Sequence, residues 1–139
     1  MRAVIDTNVL ISGLLWRGIP HRLLAHLIDD TLLLVTSPAL LAELEEVLER
    51  PKFAKILDAA GVKPPAILID IKAIAEVLPD PPPLNPPVSR DPDDDTVLAL
   101  AALARVELII SGDDDLLTLV AYASIPILTP AQALAKLEA

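Results

Sequence analysis

Twenty of the 139 residues are Asp or Glu, and they are unevenly placed. Asp6 closes the first apolar run, Glu43 borders the apolar stripe of a helical segment, and two triplets, Asp93-Asp94-Asp95 and Asp113-Asp114-Asp115, stand at helix starts. Capping and a favourable helix dipole account for one such acid, or two, but not three. Adjacent carboxylates repel, and the arrangement is tolerable where water or a cation shares the charge. Cysteine is absent, and His21 and His26 stand five residues apart, a poor spacing for one helix face. Carboxylates that converge without imidazole or thiolate suit a hard, oxygen-preferring ion that keeps several waters, Mg²⁺ or Mn²⁺. Such ions activate water and steady the developing charge in phosphodiester cleavage. Two of them would offset almost half of the formal net charge of −9 and make the pocket attractive to phosphate.

These acids meet only if the chain folds so that each is carried to one place. Residues 2–6, 32–36, 107–111 and 125–128 are short apolar runs without clean polar alternation, as in strands covered on both faces. Between them the pattern predicts helices. The clearest is 38–49, where Leu40, Leu41, Leu44, Val47 and Leu48 recur at helical steps behind a Ser37-Pro38 start. Others are 20–28, 64–77, 93–104, 114–122 and 130–138. Alternating strands and helices imply an α/β layered domain, one unit over 1–139. In an open parallel sheet, sites form beyond the carboxyl ends of the strands where the strand order reverses. Asp6 ends the first strand and Asp113 follows the Ser111-Gly112 turn after the third, so both open into one crevice if those strands are neighbours. Asp94 precedes Val97, Leu98 and Ala101 at helical spacing and follows the inner face of its helix. Asp95 is turned away by about a third of a revolution and stays an alternate.

Other function classes are disfavoured. Trp16, Phe53 and Tyr122 are the only aromatic residues, too few for a base-stacking platform. The acidic balance argues against binding nucleic acid by charge alone. Arg17, Arg22, Arg50, Lys52 and Lys55 are dispersed and serve mainly to solubilise. The glycines at 13, 18, 61 and 112 build no phosphate loop, and Ser37 has no histidine partner for a hydrolase triad. No apolar run reaches a membrane span and Asp6 arrives too early for a signal peptide, which predicts a cytoplasmic protein. From Pro79 to Pro87, six of nine residues are proline, an extended connection and not a helix.

Four blocks in order carry a family resemblance: Val4-Ile5-Asp6-Thr7-Asn8-Val9; Ser37-Pro38 with Leu40-Leu41-Ala42-Glu43-Leu44; Arg90-Asp91-Pro92-Asp93-Asp94-Asp95 with Val97-Leu98-Ala99-Leu100-Ala101; and Ile109-Ile110-Ser111-Gly112-Asp113-Asp114-Asp115-Leu116-Leu117. Over nearly the whole chain this resembles the PIN-domain ribonucleases, most closely the branch that comprises toxins of toxin–antitoxin pairs. The resemblance implies a three-layer α/β/α sandwich with a four- or five-stranded parallel sheet. It also implies that Asp6, Glu43, Asp94 and Asp113 hold Mg²⁺ or Mn²⁺, with Asp95 and Asp115 as alternates and Asn8 and Ser111 as supporting polar residues. The expected activity is endoribonucleolytic hydrolysis of RNA, and the expected partners are a second copy of the chain and a cognate antitoxin. Asp at position 95 departs from the sharper family pattern and leaves the choice of Asp94 open by one residue. A rival from another class is a metal- and RNA-binding regulatory module without turnover. A rival enzyme is an aspartyl-phosphate phosphatase resembling the haloacid dehalogenases, although those need an acid where Asn8 stands.

Overall fold

The computed structural model describes residues 1–139. Strand β1 (Arg2–Ile5) leads straight into α1 (Thr7–Leu15), and α2 (Ile19–Ile28) returns to β2 (Leu33–Thr36). Three helices follow, α3 (Pro38–Leu48), α4 (Pro51–Ala60) and α5 (Pro64–Ile74), and then a short β3 (Glu76–Val77). A proline-rich strap crosses to α6 (Pro92–Ala104), which feeds β4 (Leu108–Ile110). Helix α7 (Asp114–Leu117), strands β5 (Ala121–Tyr122) and β6 (Ile125–Leu128), and α8 (Pro130–Leu137) follow. No helix is long and apolar enough to cross a membrane.

The sheet has the order β3-β2-β1-β4-β6-β5. All neighbours are parallel except β5 and β6, which form an antiparallel hairpin at one edge. Alternate residues of the central strands feed two separate cores, as the pleat requires. Ala3, Ile5, Leu34, Leu108 and Ile110 face the larger core with α1, α2, most of α3, α4, α5 and α8. Val4, Val35, Ile109 and Ile127 face the smaller one, filled by Val97, Leu98, Leu100 and Ala101 of α6 with Leu78 and Leu84 of the strap against it. Helices on both faces explain why the strands carry no polar side. Six of the eight helices open with proline at the first or second position, where the missing N–H forfeits no bond and the fixed φ suits the turn.

The expected four or five strands are six, because two short edge strands replace predicted helix ends. Helix 64–77 stops at Ile74: Leu78 precedes Pro79 and is steered away from helix, while Glu76 and Val77 pair with Val35 and Thr36. Arg2 holds Glu76 at 3.0 Å. Helix 114–122 stops at Leu117, and Val120, Ala123 and Ser124 take positive φ to turn the chain into the β5–β6 hairpin. Two helices went unannounced. Helix α1 has Val9, Leu10, Ile11 and even Thr7 buried, which blurs its amphipathic signature, and Gly13 lets α2 approach so closely that a Cβ would lie 2.8 Å from the Pro20 carbonyl oxygen. Helix α4 buries Phe53 and Leu57 and is closed by Gly61 at φ +68°, a left-handed stop that suits glycine.

Candidate metal centre

The strand order reverses between β1 and β4, and this is where the acids collect. The β1–β4 ladder runs on into the acid itself, since the Asp6 amide donates to the Ile110 carbonyl at 2.9 Å. On the neighbouring strand, the Ser111 amide donates to the Leu128 carbonyl at 3.0 Å. Ser111 is fully buried; its hydroxyl donates to Asp6 Oδ2 at 2.8 Å and accepts the Asp113 amide at 3.0 Å. One serine thus fixes two acids from different segments. Asp113 caps α7 by accepting the Asp115 amide at 2.9 Å.

Asp94 arrives from the third turn-forming segment, the first turn of α6. Asp91 caps that helix by accepting the Asp93 amide, and Val97, Leu98 and Ala101 bury the helix against the sheet, which aims Asp94 inward. Carboxylate oxygens of Asp6, Asp94 and Asp113 lie within 4.8 Å of one another. Asp6 is 7% exposed and Asp94 4%. None of the three is paired with a cation; every ion pair of the molecule lies elsewhere.

The electrostatics record this lack of compensation. Burial, with repulsion from Asp113 and Asp6, pushes Asp94 up to about 7, against the opposing hydrogen bond from Ser89. Burial and Asp113 also raise Asp6, while the Ser111 hydroxyl and the amides of Thr7 and Asn8 favour its anion. Glu43, half-buried on α3, is pushed up to about 7 by burial and by repulsion from Asp93 and Asp6. Buried carboxylates without a counter-ion are costly, and either a proton or a cation relieves them. Three oxygen donors from three segments, unpaired and free of imidazole or thiolate, fit a hard divalent cation.

The remaining expected site residues are placed as follows. Glu43 borders the trio and is not a member of the group within 4.8 Å. Asp95, the alternate to Asp94, is 8% exposed and turned toward the strap, where it accepts the Val88 amide at 3.2 Å and the Ser89 amide at 2.7 Å. Asp115, the other alternate, holds Arg90 at 2.9 Å on the surface. The Asn8 side chain is exposed, in a groove of about 290 Å³ that Asp113 and Gly112 also line. Of the dispersed bases, Arg22 pairs with Glu138, Arg50 with Glu46, and Lys52 sits over the Phe53 ring.

One contact at the site escaped the sequence reading. Ser89 donates its hydroxyl to Asp94 Oδ2 at 3.2 Å and accepts the Asp91 amide at 3.3 Å. Ser111 has the same two bonds, to Asp6 and from Asp113. The shared signal is a Ser-x-Asp spacing, Ser89-Arg90-Asp91 and Ser111-Gly112-Asp113.

Residues 2–115 match the sequence model of the PIN domain family. Uncharacterized protein MJ1680 of Methanocaldococcus jannaschii is 32% identical over 120 residues, covering 86% of this chain and 75% of that protein. Among solved structures, FitAcB from Neisseria gonorrhoeae superposes with a TM-score of 0.60 at 19% identity, over 93% of this chain and 98% of that one. PAE2754 from Pyrobaculum aerophilum gives 0.57 at 16% identity, over 99% and 88%. The two structures speak for the fold, an α/β fold with a mostly parallel sheet between helices, and together with the family match over most of its length they leave this chain a member of the PIN-domain family.

Proposed function

We propose that this protein is a Mg²⁺- or Mn²⁺-dependent endoribonuclease and the toxin of a toxin–antitoxin pair. The observation that carries the reading is the trio Asp6, Asp94 and Asp113: buried or half-buried, unpaired, and within 4.8 Å at the strand-order reversal of a fold whose members are generally nucleases. These three would hold the cation, with Glu43 reaching it directly or across a water molecule. When bound, the ion supplies positive charge to the phosphate oxygens and makes water a better nucleophile at neutral pH.

The chain's own residues do the rest. Ser111 orients the Asp6 carboxylate and fixes the turn that presents Asp113. Glu43, beside the trio and outside it, would help to hold the cation or the waters around it. The groove of about 290 Å³ that Asn8, Gly112 and Asp113 line opens beside one member of the trio. The toxin role rests on the resemblance of the four sequence blocks, and a homodimer and a cognate antitoxin belong to the same reading.

The test is cleavage of single-stranded RNA and DNA oligonucleotides with Mg²⁺ or Mn²⁺. RNA is cut by the wild type, and cleavage stops in EDTA and in Asp94→Asn. Cutting that survives EDTA, or is unchanged in Asp6→Asn, overturns the reading. RNA binding with Mn²⁺ but without cleavage turns it into that of a regulatory module.

A further inference from the structure

The strap between β3 and α6 is a long segment without regular structure that the proposed chemistry leaves without a task. It is tied down at both ends. Near its start, Asp80 accepts the Ala39 amide at the N-terminus of α3 at 2.9 Å. At its end, Asp95 accepts the Val88 and Ser89 amides. Between these ties the proline rings restrict the backbone and Leu84 packs on the smaller core, as does Leu78 just before the first tie. Asp95 is buried, meets no cation, and spends its charge on two backbone N–H groups. The consequence falls on the residue so held: the Ser89 hydroxyl accepts the Asp91 amide and donates its one proton to Asp94 Oδ2.

We infer that Ser89, clamped by Asp95 at the end of the proline strap, is a positioning residue that orients the Asp94 carboxylate for the divalent cation. This rests on the cation reading of the trio. Ser89 touches neither ion nor substrate; it acts through Asp94, as Ser111 acts through Asp6. The difference lies in what supports each serine. Ser111 is fixed by the sheet through the hydrogen bond its amide donates to the Leu128 carbonyl, whereas Ser89 is outside any helix or strand and depends on Asp95. Groups that orient ligands in this way typically contribute roughly 10- to 100-fold in metal affinity.

The experiment is Mn²⁺ titration of the full chain without RNA, by calorimetry and by electron paramagnetic resonance of free Mn²⁺, with thermal melts in EDTA and in Mn²⁺. Ser89→Ala is expected to melt close to wild type in EDTA, because Ser89 is only partly buried, yet to bind Mn²⁺ about tenfold more weakly. Its melt then rises less on adding Mn²⁺. Ser89→Thr, which keeps the hydroxyl, restores affinity. Asp95→Asn, which keeps an acceptor for the strap amides, stays close to wild type, and Asp95→Ala matches Ser89→Ala. The inference is overturned if Ser89→Ala binds Mn²⁺ as wild type does while Asp94→Asn does not, or if Ser89→Thr is as weak as Ser89→Ala. If wild type itself binds no Mn²⁺, the cation reading and this inference fall together, and that outcome is distinguishable because all variants are then alike.

Discussion

The two aspartate triplets look alike in sequence and sit in different phases of their helices. Asp91 caps α6, so Asp93, Asp94 and Asp95 occupy its second, third and fourth positions. Asp113 itself caps α7, so Asp114 and Asp115 are that helix's first two residues. In the first triplet the middle acid joins the trio, while Asp95 holds the strap and Asp93 stays exposed, its carboxyl raised by what burial it has and by Asp91 and Glu46. In the second triplet the first acid joins, Asp114 is exposed and Asp115 meets Arg90. Capping and presentation to the site are divided between Asp91 and Asp94 at α6; Asp113 does both at α7. Three like residues in a row therefore do not make three like ligands, because each 100° step around a helix exchanges core, site and solvent.

Breaking the comparison at its centre should give the largest effect. Asp94→Asn and Asp113→Asn are expected to lower RNA cleavage on the order of 10²-fold or more, while Asp93→Asn and Asp114→Asn stay close to wild type in the same assay. Equal losses across either triplet would show that bulk negative charge, not the phase of the helix, is what matters.

Stability against pH sharpens the comparison next. Asp94 and Glu43 are raised from 3.8 and 4.5 to about 7, so between those limits the folded chain binds more protons than the unfolded one. The stability these groups contribute is present at low pH and is lost as pH rises through about 7. In EDTA, melting temperature should fall by several degrees between pH 5.5 and 7.5. Asp94→Asn should flatten that slope and raise the melt at pH 7.5, and Mn²⁺ should do so for the wild type. A melt that rises with pH in EDTA would contradict the assignment.

Smaller effects separate capping from presentation. Asp91→Ala removes a cap and should cost about 1 kcal/mol in denaturant unfolding while most cleavage is retained. Asp113→Ala should give a similar loss of stability together with loss of activity. The weakest response belongs to the surface pair: Arg90→Ala, which frees Asp115, should change stability by less than about 1 kcal/mol.

Much of this frame was legible in the chain. Four strands and the helices at 20–28, 38–49, 93–104 and 130–138 appear within a residue or so of where apolar spacing put them. The same spacing favoured Asp94 over Asp95, because the apolar residues that follow mark the inner face, and left Asp95 as an alternate. The edges were not legible. Strands β3 and β5 are each two residues long and exist through partners elsewhere in the sheet, and the turn after α7 uses positive φ at Val120, Ala123 and Ser124 with no glycine to announce it. Ser89 was invisible for a related reason: it lies in a segment without periodicity, and its contact with Asp94 depends on the path of the strap.

Composition and local order were enough to frame the proposed chemistry: a cysteine-free, acid-rich α/β chain with carboxylates at strand and helix ends has mainly oxygen ligands to offer a cation. Which acids meet was settled only by folding. Asp6 and Asp113 are brought together by the β1–β4 pairing, and Asp94 joins them because α6 packs across that pair, contacts between residues about 20 to 110 apart in the chain. Local sequence encodes the phase of each helix, but the convergence of three helix and strand ends is a property of how the layers pack.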